Sequence, residues 1–194
     1  MQARAIAIAA LLALGGCGGS GDGDRTSAAP EAAPEASPEA TPTGPEVSGE
    51  VPEPERPAVT AAVTRFVDAL NRHDAAGVCA LFVPGALDLR ELPHRSGKCE
   101  PSMRASIGVR PRGGAPAWRR TELSEQKAVA LGDDRARVTA TVVHRFRDRR
   151  QPSIEEDVIY LDRVGDRWLL AKPSATFYRA VGYGDPPLRS LVPP

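Results

Sequence analysis

Between residues 18 and 57 of this 194-residue chain there is no aromatic side chain, no leucine and no isoleucine. A stretch so poor in large apolar groups cannot bury enough surface to offset the entropy lost on ordering, so it reads as a linker. The whole chain has only three cysteines and three histidines, and no spacing among them supplies three metal ligands. No Ser-His-Asp arrangement, phosphate-cradling glycine loop or paired acidic motif of defined spacing is present. No catalytic residue is therefore assigned, and no cofactor is expected. The apolar run over 5–14 is too short to span a bilayer comfortably. Lysine is scarce as well: Lys98, Lys127 and Lys172 stand against 22 arginines, a bias that GC-rich coding produces without any function.

What fills the linker is Pro, Glu, Ala, Gly and Ser. Pro30-Glu31-Ala32, Pro34-Glu35-Ala36 and Pro38-Glu39-Ala40 recur every four residues without a hydrophobic face, which makes a low-complexity tract and not a structural repeat. Proline at this density favours polyproline II, so forty residues could reach roughly 120 Å at about 3.1 Å each. The linker sets two arginines against nine carboxylates, net −7, whereas residues 58–194 set 22 basic against 16 acidic groups, net +6. A basic body on an acidic leash could meet anionic polymers or lipid head groups, or it could be a soluble arginine-rich surface.

Arg4, the apolar run and then Leu14-Gly15-Gly16-Cys17 together resemble the bacterial lipobox. That resemblance implies cleavage before Cys17, a diacylglycerol thioether on its sulfur and an acyl group such as palmitate on its new amino terminus. The chain then divides into a lipoprotein signal peptide over 1–16, a lipidated Cys17 with its linker over 17–57, and one domain over 58–194 with an extended C-terminal tail. The address implied is the extracytoplasmic face of the cell membrane. An ordinary secretory peptide that contains a cysteine is the competing reading.

The domain begins with helices. Val59, Val63, Phe66, Val67 and Leu70 form a stripe with a helical period, and Pro57 stands where a helix tolerates proline. Asp74 is a good N-cap for a short helix over 75–82, and a third is expected over 101–107, closed by Gly108. From Trp118 the period changes to two. Over 135–147, Ala136, Val138, Ala140, Val142, His144 and Phe146 alternate with Arg135, Arg137, Thr139, Thr141, Val143, Arg145 and Arg147. Strands are also expected over 121–131, 154–164 and 167–172. The fold class is α+β: two or three N-terminal helices packed on an antiparallel sheet of about four strands.

The run Phe66-Val67-Asp68-Ala69-Leu70-Asn71-Arg72-His73-Asp74, a second helix ending in Leu81-Phe82, and Gly165-Asp166-Arg167-Trp168-Leu169-Leu170 resemble the nuclear transport factor two-like superfamily. The resemblance covers about 59–172 and implies a strongly curved, cone-shaped sheet. It is almost silent on function, because that superfamily includes ketosteroid isomerase, scytalone dehydratase, SnoaL-type cyclases and many noncatalytic modules.

With Cys17 lipidated, Cys79 and Cys99 form an even pair in an exported protein, which favours a disulfide; two unpaired thiols are the alternative. His144 is the one polar side chain on the apolar face of its strand. It could be a general base, a ligand contact, or a buried histidine satisfied by a neighbour. Tyr160 and Tyr178 would join it if the strand register allows. Arg135, Arg137, Arg145 and Arg147 face the other way, where Glu155, Glu156 and Asp157 could pair with them. Interleaved aromatics are missing, so no nucleic acid is expected. The expected partners are the membrane through its lipid anchor and a small apolar ligand or an envelope protein, with a homodimer also open. Two functions remain: a noncatalytic binding lipoprotein, or a ketosteroid-isomerase-like or SnoaL-like isomerase or dehydratase acting on a small apolar substrate.

Overall fold

The computed structural model describes residues 49–53, 55–190 and 192–194. The signal peptide, Cys17 and most of the linker lie outside the described residues. The last part of the stretch read as linker belongs to the folded body. Glu50 bridges Val129, the Gly49 carbonyl accepts the Ala130 N–H, and Val51 is buried. The boundary placed at residue 57 therefore shifts upstream, because Val51 supplies an apolar contact that composition averaged over forty residues conceals.

Helix α1 spans Arg56–Asn71 with a proline in its first turn, and its stripe is buried through Val59, Val63, Phe66, Val67 and Leu70. Helix α2 spans Ala75–Ala80, and the Asp74 carboxylate accepts the Gly77 N–H at 2.9 Å, the cap that the sequence implies. Helix α3 spans Cys99–Ser106 and starts two residues before the expected position. The Cys79–Cys99 disulfide is present, joining α2 to α3 with a Cα–Cα distance of 6.0 Å.

Four strands follow: β1 Trp118–Ala130, β2 Arg135–Phe146, β3 Ser153–Val164 and β4 Arg167–Leu170, antiparallel and in the order β1-β2-β3-β4. The α+β architecture, helices against a curved four-stranded sheet, is the expected one. Two register breaks bend β1, at Trp118/Arg120 and Ser124/Lys127; β2 pairs with β3 without interruption from Arg135 to His144. Bulges re-aim side chains and increase twist, and here they leave the alternation of β2 intact.

The C-terminal region is not an extended tail. Residues 175–180 form a fourth helix, α4 (Ala175–Ala180), with Ser174 as N-cap. Phe177 and Tyr178 are buried, and the Phe177 ring meets Phe82 edge to face at 5.4 Å, as Phe82 meets Phe66 at 5.9 Å. This aromatic chain connects α1, the end of α2 and α4, so that the last helix completes the core begun by the first.

Candidate functional site

Strand parity sets the site. Ala136, Val138, Ala140 and Val142 are all buried on the inner face of β2, and His144 continues the series with no exposed surface. Its cross-strand neighbour on β1 is Thr121, whose Oγ1 lies 2.9 Å from His144 Nδ1. The Trp118 indole donates to the same Oγ1 at 3.0 Å. Asn71, the last residue of α1, holds Thr121 in place: its amide donates to the Thr121 carbonyl at 2.8 Å and its oxygen accepts the Thr121 N–H at 2.9 Å. This side chain takes over a backbone pairing that the bulged edge strand lacks.

The Thr121 hydroxyl has one proton of its own. Whichever way the Thr121–His144 bond runs, Nε2 remains either an unmatched donor or an unmatched acceptor, and it has no protein partner among the described residues. Burial holds the imidazole below its ordinary value of 6.5, with Arg179 reinforcing and Glu155 and Asp157 opposing the shift. The ring is therefore neutral at neutral pH.

Two carboxylates share this face. The register Ala140↔Asp157 and Val142↔Glu155 turns both inward. Glu155 accepts from the Ser153 hydroxyl at 2.7 Å and from Arg179 at 2.9 Å. Burial penalises its charged form, but Ser153, Arg179 and His144 outweigh that penalty and hold its pKa below the usual value. Asp157 is fully buried and accepts the first two N–H groups of α4, from Ala175 at 3.1 Å and Thr176 at 2.9 Å. A carboxylate at a helix N-terminus meets both free donors and the positive end of the dipole. Arg179, one turn further along α4, also donates to the Gly184 carbonyl. Thr176 Oγ1 and Arg179 Nε join His144 Nε2 as buried polar atoms without partners.

The structure thus brings His144 to the interior and surrounds it with Glu155, Asp157 and Arg179, none of which was assigned to a site from the sequence. Counting back by twos from Leu161 and Ile159 reaches 157 and 155, but the inward orientation of those two residues is set only by their pairing with β2. The expected pairing of Glu155 and Asp157 with the arginine stripe is corrected accordingly, while Glu156, opposite Thr141, stays on the outer face. Arg145 pairs instead with Glu122 at 2.9 Å and Arg135 with Asp162 at 2.9 Å.

Tyr160 is also corrected. It stands opposite Arg137, one residue out of phase with the inner Ile159 and Leu161. It lies on the outer face, covered in part by Lys172, whose Nζ is 5.5 Å from the ring centroid. Tyr178 is inside, but its hydroxyl donates to Glu91 at 2.8 Å rather than to His144. His73 and His94 are exposed.

A neutral imidazole beside an ionised Glu–Arg pair has the components of an acid–base centre. Here α4 covers it. Five of the surface clefts among the described residues are lined by groups other than His144, Glu155, Asp157 and Arg179. One of them, about 670 Å³, runs beside the disulfide between Phe82, Leu87, Leu89 and Leu169. Among the described residues no group of three His, Cys, Asp or Glu side chains is placed to hold a metal.

The chain matches no protein-family model and no curated protein sequence. Among solved structures it is similar to a protein of unknown function from Mycobacterium tuberculosis, at 17% identity, covering 61% of this chain and 68% of that one with a TM-score of 0.42. It is similar to a protein of unknown function with a cystatin-like fold from Nostoc punctiforme, at 14% identity, 63% and 90% coverage and a TM-score of 0.43. It is also similar to ActVI-ORFA from Streptomyces coelicolor, at 17% identity, 60% and 92% coverage and a TM-score of 0.37. Likeness at this level says nothing about activity.

Proposed function

We propose that this chain is a lipoprotein anchored to the extracytoplasmic face of the cell membrane, and that its body is a noncatalytic domain binding a small apolar ligand or an envelope protein. The observation that carries the noncatalytic reading is closure of the interior. His144 is fully buried beneath α4, and the charged groups around it are paired with one another or with the α4 backbone. Binding then falls to the outer surface, where the apolar cleft beside the disulfide offers about 670 Å³. The Cys79–Cys99 bond fits an oxidising compartment, and the lipobox-like Leu14-Gly15-Gly16-Cys17 supports the anchor. Two acyl chains are needed for stable anchoring. The test is the mature protein itself: its intact mass should correspond to a chain starting at acylated Cys17, and Cys17→Ala should release it or leave it unprocessed. Unmodified wild-type protein recovered from the soluble fraction without detergent contradicts the anchor.

A second reading is favoured by one observation, the convergence of His144, Glu155, Asp157 and Arg179 with three unpartnered polar atoms. If α4 swung away, His144 could act as the general base of an isomerase or dehydratase on a small apolar substrate. A substrate-like ketone that shifts the His144 Nε2 resonance would favour that reading over the first.

A further inference from the structure

One end of the molecule gathers arginines that the sheet surface does not neutralise. The break at Trp118/Arg120 buries Trp118 and turns both Arg119 and Arg120 outward. Directly across, β2 runs out into the turn carrying Arg147, Arg149 and Arg150, all exposed. The end of α1 joins them: a methyl placed on Gly108 would lie 2.9 Å from His73 Cε1 and 3.1 Å from Arg147 Nη2, so His73, next in the chain to the exposed Arg72, and Arg147 flank the same spot. The two carboxylates beside the strand ends, Glu122 and Asp148, are already engaged. Glu122 holds Arg145 at 2.9 Å and Arg120 at 2.6 Å, while Asp148 holds Arg110 at 3.3 Å and the Ala117 N–H at 3.0 Å. Arg72, Arg119, Arg147, Arg149 and Arg150 have no carboxylate partner among the described residues. Ile154, 69% exposed at the start of β3, adds an aliphatic side chain to the rim of this surface.

We infer that this arginine end is a docking surface for the anionic head groups of a phospholipid membrane. Five unpaired guanidiniums on one pole suit a surface of phosphate monoanions, to which each basic group adds attraction within a Debye length. Guanidinium also matches phosphate oxygens in a two-pronged geometry that ammonium lacks. The exposed Ile154 can enter the interfacial layer beside them. The inference goes beyond the lipid anchor: it concerns how the body lies once it is near a membrane, and it does not require Cys17 to be acylated.

The experiment uses the chain from residue 18 onward, which retains every described core residue and lacks both the signal peptide and Cys17. It is floated with vesicles of phosphatidylcholine alone or with about a third phosphatidylglycerol. Binding is expected only to the anionic vesicles and should fall steeply as salt rises. The triple variant Arg147→Gln, Arg149→Gln, Arg150→Gln should lose on the order of a hundredfold in partition coefficient. A control, Arg65→Gln, Arg90→Gln, Arg104→Gln, removes the same charge elsewhere and should lose far less. Failure to bind anionic vesicles, equal binding to neutral ones, or an equal loss in the control would each overturn the inference. So would binding that emerges only after residues 18–48 are deleted, since the acidic linker would then be the occupant of the arginines. Failure here leaves the mass of the mature amino terminus, and hence the anchor, untouched.

Discussion

Asp157 is the residue on which α4 depends, and its replacement gives the sharpest energetic prediction. The carboxylate is fully buried and accepts two backbone N–H groups, from Ala175 and Thr176. A hydrogen bond to a charged acceptor contributes about 1.5–3 kcal/mol net, and a buried donor left without a partner costs about 1–3 kcal/mol. Both bonds share one carboxylate and are not additive, so Asp157→Ala should cost about 3–4 kcal/mol, with some of it the lost charge at the helix N-terminus. Asp157→Asn keeps one acceptor oxygen but turns an NH2 group toward an N–H, and should cost about half as much. A domain of this size has about 5–15 kcal/mol in total, so both variants should fold and be measurable by urea denaturation. Hydrogen exchange gives the local readout. In Asp157→Ala, the amides of 177–181 should exchange much faster, while those of α1 change only by the global loss of stability. A loss below about 1 kcal/mol, or unchanged protection in α4, would refute the claim that this buried carboxylate seats the helix.

The disulfide closes a loop with a sequence separation of 20, so the double variant Cys79→Ala, Cys99→Ala should lose about 3 kcal/mol by urea denaturation; a non-reducing peptide map of the exported protein should show the two cysteines linked, and alkylation of both before reduction would contradict the bond. Acid should destabilise the fold in two steps. Because the folded-state pKa of His144 lies below 6.5, the unfolded chain binds more protons there, and stability falls as pH drops through that value. Glu155, lowered from 4.5, contributes stability that is present above that value and lost as pH falls below it. His144→Phe should flatten the first step and leave the second, read as denaturation midpoints from pH 7 to 3; a wild-type profile flat between pH 7 and 5 would contradict a buried neutral imidazole.

Much of the scaffold was legible because its signals are local and repeated. The α1 stripe spans three turns, and the alternation along β2 runs long enough to place His144 inside without knowledge of its neighbours. Asp74 caps a helix that begins at the next residue. The failures share one physical cause, which is that the deciding contact is remote. Helix α4 has six residues, too few for a period to register, and although Ser174 caps the Phe177 N–H locally, its first two donors are met by Asp157, 18 residues before Ala175. Without Asp157 the segment has only the Ser174 cap to mark it. Val158-Ile159-Tyr160-Leu161 is apolar throughout and carries no alternation; only pairing with β2 shows that Ile159 and Leu161 face inward and Tyr160 outward. The carboxylates of Glu155 and Asp157 look like surface charges until the same register turns them toward Arg179 and the start of α4.

The closed interior is the central claim, and the chain's three histidines provide its most direct test. His73 and His94 are exposed, whereas His144 is fully buried beneath α4. Native protein treated briefly with diethylpyrocarbonate and mapped by peptide mass should carry the adduct on His73 and His94 and none on His144, which should react only after unfolding. Modification of native His144 at a rate comparable to the other two would mean that small molecules reach it, and the noncatalytic reading of the interior would fall.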